Sequence, residues 1–213
     1  MNASEITIII SCAGMGTRLG IGSTKALVNI NGKPLIIHQL EQLKEYDDIR
    51  IVVGYQAEKV INLVKNFRTD IMFAFNYDYR TTGTAASFCK GLLGARKYAV
   101  AFDGDLLVNP EDLKRFLAYE GEIVGGSIPT TDSPVLMKIK NNQVVGFSRE
   151  DGELEWTGLA KIESKKIIPA DKHVYMMLES NLPIDVMKIR TKEIDTQNDY
   201  EKAVEWVKKG YND

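Results

Sequence analysis

Short apolar runs alternate with amphipathic segments along the first half of the chain. Four runs are almost uniformly apolar, at residues 6–11, 49–53, 71–75 and 99–102. Such runs predict strands that are covered by helices on both faces. Segments with helical spacing lie between them, at residues 35–45, 57–65 and 84–93. This alternation predicts a mostly parallel sheet that binds ligands at the carboxyl ends of its strands.

The second half of the chain follows a different pattern. The apolar segments 135–139 and 144–148 flank the polar stretch 140–143, which predicts a hairpin. Further strands are predicted at 159–162 and 184–188. No internal repeat or linker separates the two halves. We therefore predict one α/β domain over residues 1–213 with a Rossmann-like, mostly parallel mixed sheet and two lobes.

Capping residues mark two helix starts in this second half. Asn109 precedes Pro110 and two acidic residues, which together favour the beginning of a helix. Asp195 and Thr196 are expected to cap a final helix that runs to about residue 209.

Composition narrows the class of protein. The chain has 213 residues, of which 44% are hydrophobic and 26% charged, as in ordinary globular proteins. Its formal net charge of −2 gives no basic field, so we expect neither nucleic acid nor a membrane as a partner. The opening residues lack the basic region of a signal peptide. Cys12 and Cys89 fit neither a disulfide framework nor a metal site, and we expect a cytoplasmic protein.

The most informative stretch follows the first predicted strand. Residues 11–20 read Ser-Cys-Ala-Gly-Met-Gly-Thr-Arg-Leu-Gly. Glycines allow backbone N–H groups to approach phosphates closely, although they also describe a plain strand-to-helix turn. Arg18 and Lys25 bring two cations to the same place, which favours a triphosphate.

Two other glycine-rich motifs are excluded by their spacing. A P-loop requires a Gly-Lys-Ser/Thr ending that the chain lacks. A dinucleotide-binding turn requires its third glycine at Leu19, but the glycine is Gly20. The second predicted strand ends at Val53-Gly54 without the acidic residue that would bind a ribose. A dinucleotide-dependent oxidoreductase is therefore a poor interpretation.

The loop and the segments after it resemble a known family. Ala-Gly-Met-Gly-Thr-Arg at 13–18, Lys-Ala-Leu-Val at 25–28 and Gly-Lys-Pro-Leu-Ile at 32–36 are similar to the signature of nucleoside-diphosphate-sugar pyrophosphorylase-like nucleotidyltransferases. Within that family the chain looks most like the compact cytidylyltransferases that activate phosphocholine, inositol phosphate or aminoalkylphosphonates. One departure is Thr24, where the family usually has proline before the lysine.

The resemblance implies an activity. It implies Mg²⁺-dependent transfer of a nucleoside monophosphate, with CTP as the favoured donor, to a small phosphate or phosphonate acceptor, with release of pyrophosphate. The nucleotide-binding lobe would comprise about residues 1–110, and the acceptor-binding lobe about residues 111–213. A sugar-1-phosphate nucleotidylyltransferase using UTP or dTTP, and a non-catalytic nucleotide-sensing relative, remain alternatives. A homodimer and the identity of the acceptor are left open.

The resemblance also assigns roles to residues. Arg18 and Lys25 would be catalytic, and Asp105 and Asp195 would bind the metal, although Asp-Gly-Asp at 103–105 also describes a turn. The residues expected to contact the nucleotide are Cys12, Ala13, Gly14, Gly16, Thr17, Thr82, Gly83, Thr84 and Asp103. Thr84 has an alternative role as a helix cap.

Acceptor binding is the least defined part of the prediction. The resemblance favours Trp156 and Gly158, and more weakly Glu179 on a helix expected to face the same cleft. The acidic run 149–156 ends in Trp156, and its carboxylates Glu153 and Glu155 would suit an amine-bearing acceptor. The alternative is a solvated hairpin on which Trp156 packs.

Overall fold

The computed structural model describes residues 2–20, 22–131, 133–170 and 172–212. The strands are β1 (Ile6–Cys12), β2 (Asn29–Ile30), β3 (Lys33–Pro34), β4 (Ile49–Val53), β5 (Met72–Phe75), β6 (Tyr98–Asp103), β7 (Leu106–Val108), β8 (Ile123–Ser127), β9 (Leu136–Lys140), β10 (Gln143–Ser148), β11 (Leu154–Glu163), β12 (Ile184–Lys188) and β13 (Thr191–Glu193). The helices are α1 (Leu35–Gln42), α2 (Ala57–Phe67), α3 (Thr84–Lys90), α4 (Pro110–Ala118), α5 (Val174–Leu178) and α6 (Gln197–Lys208).

One mixed sheet of nine strands runs through the molecule in the order β5-β4-β1-β6-β11-β8-β12-β10-β9. The first four strands in this order are parallel to one another, as the apolar runs predict. The chain moves from β1 to β4 on one side and returns to β6 on the other. Ligands of open α/β sheets bind where the strand order reverses in this way. The carboxyl ends of β1 and β6 are therefore the expected position of the site.

The other half of the sheet has mixed strand direction. β11 is antiparallel to both β6 and β8, whereas β12 is parallel to β8. β9 and β10 form the predicted hairpin, and its turn residues Asn141 and Asn142 both have positive φ, at 52° and 62°. Asparagine tolerates this conformation, which two-residue hairpin turns require. The strand predicted at 159–162 is the end of the longer β11.

The predicted capping residues hold two helices in place. Asn109 caps α4, because its side chain accepts from the backbone N–H groups of Glu111 and Asp112. Thr196 caps α6 and forms a capping box with Asp199. Asp195 is thereby left outside the cap, with its carboxylate available for other contacts.

Strand β1 lies at the centre of the core. Ile8 and Ile10 point to the face covered by α1, α2 and α4, while Ile9 points to the face covered by α3 and α5. Since successive side chains of a strand alternate between faces, a uniformly apolar strand requires cover on both. Within the described ranges, no helix combines the length and apolar character needed to span a bilayer.

A buried lysine lies where α4 meets the sheet. Lys161 on β11 is 0% exposed and donates to the backbone oxygens of Leu117 and Tyr119, at the carboxyl end of α4. Burial lowers the pKa of Lys161 to about 8. A cation near a helix carboxyl end is stabilised by the helix dipole, but here the ammonium has lost most of its hydration.

This lysine predicts a pH dependence of stability. Between about pH 8 and its ordinary pKa of about 10.4, Lys161 binds more protons in the unfolded state than in the folded state. Its contribution to the free energy of unfolding therefore rises with pH over that interval. Chemical denaturation measures the free energy of unfolding of wild type and of Lys161→Met. The value for wild type, relative to that of the variant, should rise from pH 8 to pH 10. A difference that stays constant over this range would contradict the shift.

Candidate active site

The glycine loop leaves β1 and turns back through Lys25. Gly16 has a φ of 61°, and a Cβ there would lie 2.9 Å from the Ser23 backbone oxygen, so only glycine fits without strain. Thr24 is 2% exposed, has a φ of −64° that proline would also adopt, and donates its hydroxyl to the Cys12 oxygen. Threonine thus tethers the loop to the end of β1 at the position where the family has proline.

The acidic turn lies directly beside this loop. Ser11 at the end of β1 pairs with Asp103 at the end of β6. Gly104 N–H donates to the Ser11 oxygen, and a Cβ on Gly104 would lie 2.6 Å from that same atom. The Asp-Gly-Asp stretch is therefore a turn, as one interpretation held, and the turn carries Asp105 towards the glycine loop.

A short two-stranded ladder brings the C-terminal acids to Asp105. β7 begins after Asp105 and pairs antiparallel with β13, so that Leu106 lies opposite Glu193. The Ile194 N–H then donates to the Asp105 backbone oxygen over 3.0 Å. Residues almost 90 positions apart in the sequence consequently meet at one point of the cleft.

The two cations of the loop are bound to these carboxylates. Lys25 Nζ lies 2.7 Å from Asp105 Oδ2 and also donates to Asp195 Oδ1. Arg18 Nη1 lies 2.7 Å from Asp195 Oδ2, although the Arg18 side chain is 71% exposed. Burial acts to lower the pKa of Lys25, but attraction and hydrogen bonds from Asp105 and Asp195 outweigh it and raise that pKa.

Acidic groups outnumber basic groups in this cluster. Burial, and then repulsion from Asp105 and Asp195, raise the pKa of Glu193 to about 9. Burial and repulsion from Asp105 also raise the pKa of Asp103 well above its ordinary value. Carboxyl groups that resist ionisation in this way indicate a site that would gain from additional positive charge.

The geometry of the acids fits a divalent cation. Single oxygens of Asp105, Glu193 and Asp195 all lie within 4.8 Å of one another. Two ligands of one Mg²⁺ are separated by about 3–4 Å, since each lies about 2.1 Å from the ion. Small side-chain movements would therefore suffice, provided that the Lys25 ammonium moved away from Asp105 and Asp195.

A cleft of about 630 Å³ extends from this cluster across the sheet, and a smaller pocket of about 230 Å³ adjoins it at the glycine loop. The small pocket contains Cys12, Gly14, Gly16, Thr17, Arg18, Lys25 and Asp105. The larger cleft contains Ala13, Thr82, Gly83, Thr84, Asp103, Asp195, Trp156 and Gly158, and it shares Gly14, Arg18 and Asp105 with the small pocket. The structure thus brings together the candidate residues named from the sequence, with the exception of Glu153 and Glu179, which do not line either pocket.

The prediction for Glu179 requires a correction. Helix α5 ends at Leu178, and Glu179 is exposed beyond it, outside the residues that line the cleft. The start of the same helix faces the cleft instead, through His173 and Tyr175, whose rings stack at 5.7 Å. The sequence predicted the helix, but Glu179 lies at its far end, in the 3₁₀ turn Glu179–Asn181, where it is exposed.

The 82–84 segment, which is expected to contact the nucleotide, is covered by the segment that leads into α5. Gly83 precedes α3, and a Cβ on it would lie 1.8 Å from the Lys172 backbone oxygen, so the 172–173 segment crosses directly over it. Thr84 does not cap α3, contrary to one expectation. The cap position belongs to Gly83, and the Thr84 hydroxyl accepts from Val174 N–H over 3.4 Å.

Gly158 and Trp156, which were expected to contact the acceptor, both line the cleft. Gly158 has a φ of 81° and packs against Asp103, whose Oδ2 would lie 2.2 Å from a Cβ there. Trp156 is half-buried, lines the cleft and packs edge-on against Phe147 at 6.1 Å. Both expectations for this tryptophan, a core contact and a cleft face, are therefore met.

The acidic run does not supply free carboxylates to the cleft. Glu153 is exposed and accepts from the Ile139 N–H of the neighbouring hairpin. Glu155 lines the cleft, but it accepts from the Thr130 and Thr131 N–H groups and from the Thr131 hydroxyl. These carboxylates hold strands and a loop in place, and the prediction that they bind an amine is not supported.

Sequence reasoning missed several residues of the site. Glu193 is separated by one residue from Asp195 in an extended segment, and this spacing places both side chains on one face. That signal was present in the sequence. Arg149, His173 and Tyr175 reach the cleft from loops and a helix start, and no comparable sequence pattern marks them.

Solved structures of known enzymes have the same fold. The CTP:phosphocholine cytidylyltransferase of Streptococcus pneumoniae superimposes with a TM-score of 0.77 at 22% identity, over 95% of this chain and 99% of that one. A putative glucose-1-phosphate thymidylyltransferase from Bacillus anthracis also superimposes with a TM-score of 0.77, at 16% identity over 94% of both chains. At these identities the likeness establishes the fold, and the two relatives differ in the nucleotide that their names give.

A match to a family model establishes the family, and sequence relatives agree with it. The bifunctional protein GlmU of Sulfurimonas denitrificans is 29% identical over 126 residues, which are 58% of this chain and 29% of that protein. The chain spans between 26% and 30% of the length of the curated relatives that it matches. The model of the MobA-like NTP transferase domain matches residues 8–138, which is more than half of the chain. The chain therefore belongs to the MobA-like NTP transferase domain family, a family of nucleotidyltransferases.

Proposed function

We propose that the protein is a Mg²⁺-dependent cytidylyltransferase that moves CMP from CTP to a small phosphate or phosphonate acceptor and releases pyrophosphate. One observation carries this proposal. Lys25 and Arg18 meet Asp105 and Asp195 at the mouth of the glycine loop, where the two pockets join. Cations, backbone amides and grouped carboxylates at one point are what phosphoryl transfer requires.

The residues suit a reaction without a general base. An acceptor phosphate is already ionised at neutral pH, so its oxygen can attack the α-phosphorus in line with the departing pyrophosphate. Lys25 and Arg18 would neutralise the charge of the transferred phosphate and of pyrophosphate, and the loop amides would orient them. Mg²⁺ held by Asp105, Glu193 and Asp195 would supply further charge neutralisation at the phosphate oxygens.

The acceptor would lie against β11, beside Gly158 and Trp156. This wall of the cleft also contains the rings of His173 and Tyr175 and the guanidinium of Arg149. Ring faces, hydroxyls and a cation suit a small body with a terminal anion. Larger acceptors would have to displace the loop that Glu155 holds through Thr130 and Thr131.

A pyrophosphate-release assay tests this function. Each of CTP, UTP, dTTP, ATP and GTP is combined with Mg²⁺ and with phosphocholine, phosphoethanolamine, aminoethylphosphonate, inositol 1-phosphate or glucose 1-phosphate. We expect release with CTP and a small phosphate or phosphonate. Preference for UTP or dTTP with glucose 1-phosphate would instead assign a sugar-1-phosphate nucleotidylyltransferase. Binding without release for every pair would indicate a nucleotide-sensing protein.

Two glycines of the loop, Gly14 and Gly16, provide a sharper test. Gly14 has no left-handed φ, and a Cβ there would meet no described atom within 4 Å, so the fold itself accepts alanine. The added methyl group would project into the pocket and obstruct the phosphates. Gly14→Ala should keep the melting temperature of wild type and weaken CTP binding by about tenfold or more.

Gly16→Ala is the matched comparison for this test. Its positive φ and the 2.9 Å approach to Ser23 predict a loss of stability of about 1–2 kcal/mol in the ligand-free protein. Thermal melts with and without CTP measure both variants. Wild-type CTP affinity in Gly14→Ala would show that phosphates do not bind at this loop.

A further inference from the structure

The turn between β4 and α2 contacts both arms of the glycine loop, the departing arm at residues 13–16 and the returning arm at residues 22–24. On the departing arm, the Tyr55 N–H donates to the Ala13 oxygen over 3.0 Å. A Cβ on Gly54 would lie 2.9 Å from that same oxygen, so the turn lies directly against the arm. The departing arm is therefore held by backbone atoms of the turn.

The returning arm is held mainly by the side chain of Gln56. Gln56 Nε2 donates to the Gly22 oxygen over 3.1 Å, and its Oε1 accepts from the Ser23 hydroxyl over 3.2 Å. Because a carbonyl oxygen only accepts, the contact with Gly22 fixes the orientation of the amide. The Tyr55 hydroxyl donates to the same Gly22 oxygen over 3.3 Å. Gln56 thus binds two successive residues of this arm.

The backbone of Gln56 is strained at the same place. Gln56 precedes α2 with a φ of 52°, in the left-handed region that favours glycine. A residue with a side chain persists in this region only where its surroundings compensate, and such residues cluster at functional sites. Here the compensation includes the hydrogen bonds to Gly22 and Ser23. A side chain at a position where glycine would relieve the strain indicates a role beyond the turn itself.

Ser23 connects this contact to Lys25. The Ser23 backbone oxygen lies 2.9 Å from the position of a Cβ on Gly16, and Lys25 Cγ lies 3.1 Å from that position. The returning arm is therefore packed against the departing arm immediately before the lysine. Gln56 and Ser23 lie outside the residues that line the two pockets, so any effect of Gln56 on the substrate has to pass through the arm.

We propose that Gln56 is a positioning residue that holds the returning arm and thereby fixes the backbone from which Lys25 reaches the transferred phosphate. This inference rests on the proposed function, in which Lys25 neutralises charge on that phosphate. The Lys25 ammonium has to leave Asp105 and Asp195 to do so, and a fixed backbone limits this movement to the side chain. Positioning of this kind acts on the chemical step, because a small displacement of a catalytic group lowers the rate strongly.

Gln56→Gly is the variant that tests this role, since it removes the amide and relieves the backbone strain together. The relief offsets the lost hydrogen bonds, so the melting temperature should stay close to that of wild type. kcat for pyrophosphate release should nevertheless fall by about tenfold, whereas the Michaelis constant for CTP should change by less than about threefold, because the departing arm keeps its bond to the Tyr55 N–H. Asn142→Gly is the matched control. Asn142 also has a positive φ, of 62°, but it lies in the β9–β10 turn, and this variant should keep the wild-type kcat.

A double-mutant cycle separates positioning of Lys25 from a general structural role. Lys25→Met has no ammonium to position, so adding Gln56→Gly to it should lower kcat by less than about twofold further. A general structural role would lower kcat by the same factor with and without the ammonium, and this result would overturn the proposal. A wild-type kcat in Gln56→Gly would overturn it as well and would leave the proposed function intact.

A measurement without substrate keeps the two proposals apart. The ¹⁵N order parameter of the Ser23 amide should be about 0.85 in ligand-free wild type and should fall below about 0.6 in Gln56→Gly. Equal order parameters in the two proteins would show that Gln56 does not hold the arm, whatever the activity. If wild type releases no pyrophosphate with any pair of substrates, the proposed function fails, and the role of Gln56 towards Lys25 fails with it.

Discussion

An Asp105→Asn protein is expected to fold as wild type does and to release pyrophosphate about a thousandfold more slowly. Asp105 belongs to the acid cluster and contacts Lys25, so its charge serves both the metal and the position of the lysine. Charge neutralisation by a bound metal is worth several kcal/mol, and about 1.4 kcal/mol corresponds to a tenfold change in rate. Single-turnover pyrophosphate release with saturating CTP measures the effect.

The stability of this variant distinguishes chemistry from folding. Removing one charge from a crowded group of carboxylates relieves repulsion, which offsets the lost contact with Lys25, so the melting temperature should change little. Asp47→Asn is the matched control, because Asp47 is 69% exposed and paired with Arg96 far from the cleft. Release at the wild-type rate by folded Asp105→Asn would refute the assignment of Asp105 to the metal.

A Lys25→Met protein should be less stable than wild type without Mg²⁺ and should recover more stability than wild type when Mg²⁺ is added. Lys25 is 13% exposed in its side chain and bridges Asp105 and Asp195. Breaking a mostly buried ion pair from one side costs about 3 kcal/mol, because the partner charges stay behind. Mg²⁺ would then bind Asp105 and Asp195 more tightly, because it would not have to displace the Lys25 ammonium from them. Thermal melts across a Mg²⁺ titration measure both effects.

Lys33→Met is the control for this variant. Lys33 pairs with Glu41 at a partly exposed position, and such pairs contribute less than about 1 kcal/mol. Turnover of Lys25→Met should fall by at least about a hundredfold while the Michaelis constant for CTP changes less, since the lysine acts on charge that develops in the transition state. A Mg²⁺-induced stabilisation equal to that of wild type would contradict the competition between Lys25 and the metal.

The sequence predicted those parts of the fold that depend on local chemistry. β1 and β6 are almost uniformly apolar, and their burial on both faces follows from that pattern. Asn109 and Thr196 mark helix starts through hydrogen bonds to their own neighbours. The glycine loop was recognisable because Gly16 requires a left-handed backbone at a fixed distance from Arg18 and Lys25.

The remaining parts depend on contacts between distant segments. Glu193 joins Asp105 through the pairing of β13 with β7, which no local pattern specifies. The carboxylate of Glu155 was predicted to bind a ligand, but it accepts hydrogen bonds from the 130–131 loop instead. In each case a polar group has one partner in the fold, and its chemistry alone does not identify that partner.

The position of the metal tests the central claim most directly. Crystals grown with CTP and with Mn²⁺ in place of Mg²⁺ would locate the ion by its anomalous scattering. We expect a single peak within bonding distance of Asp105, Glu193 and Asp195, with the Lys25 ammonium moved from these carboxylates towards the phosphates. A peak elsewhere, or no peak with Lys25 still bridging Asp105 and Asp195 beside bound CTP, would contradict the proposed centre.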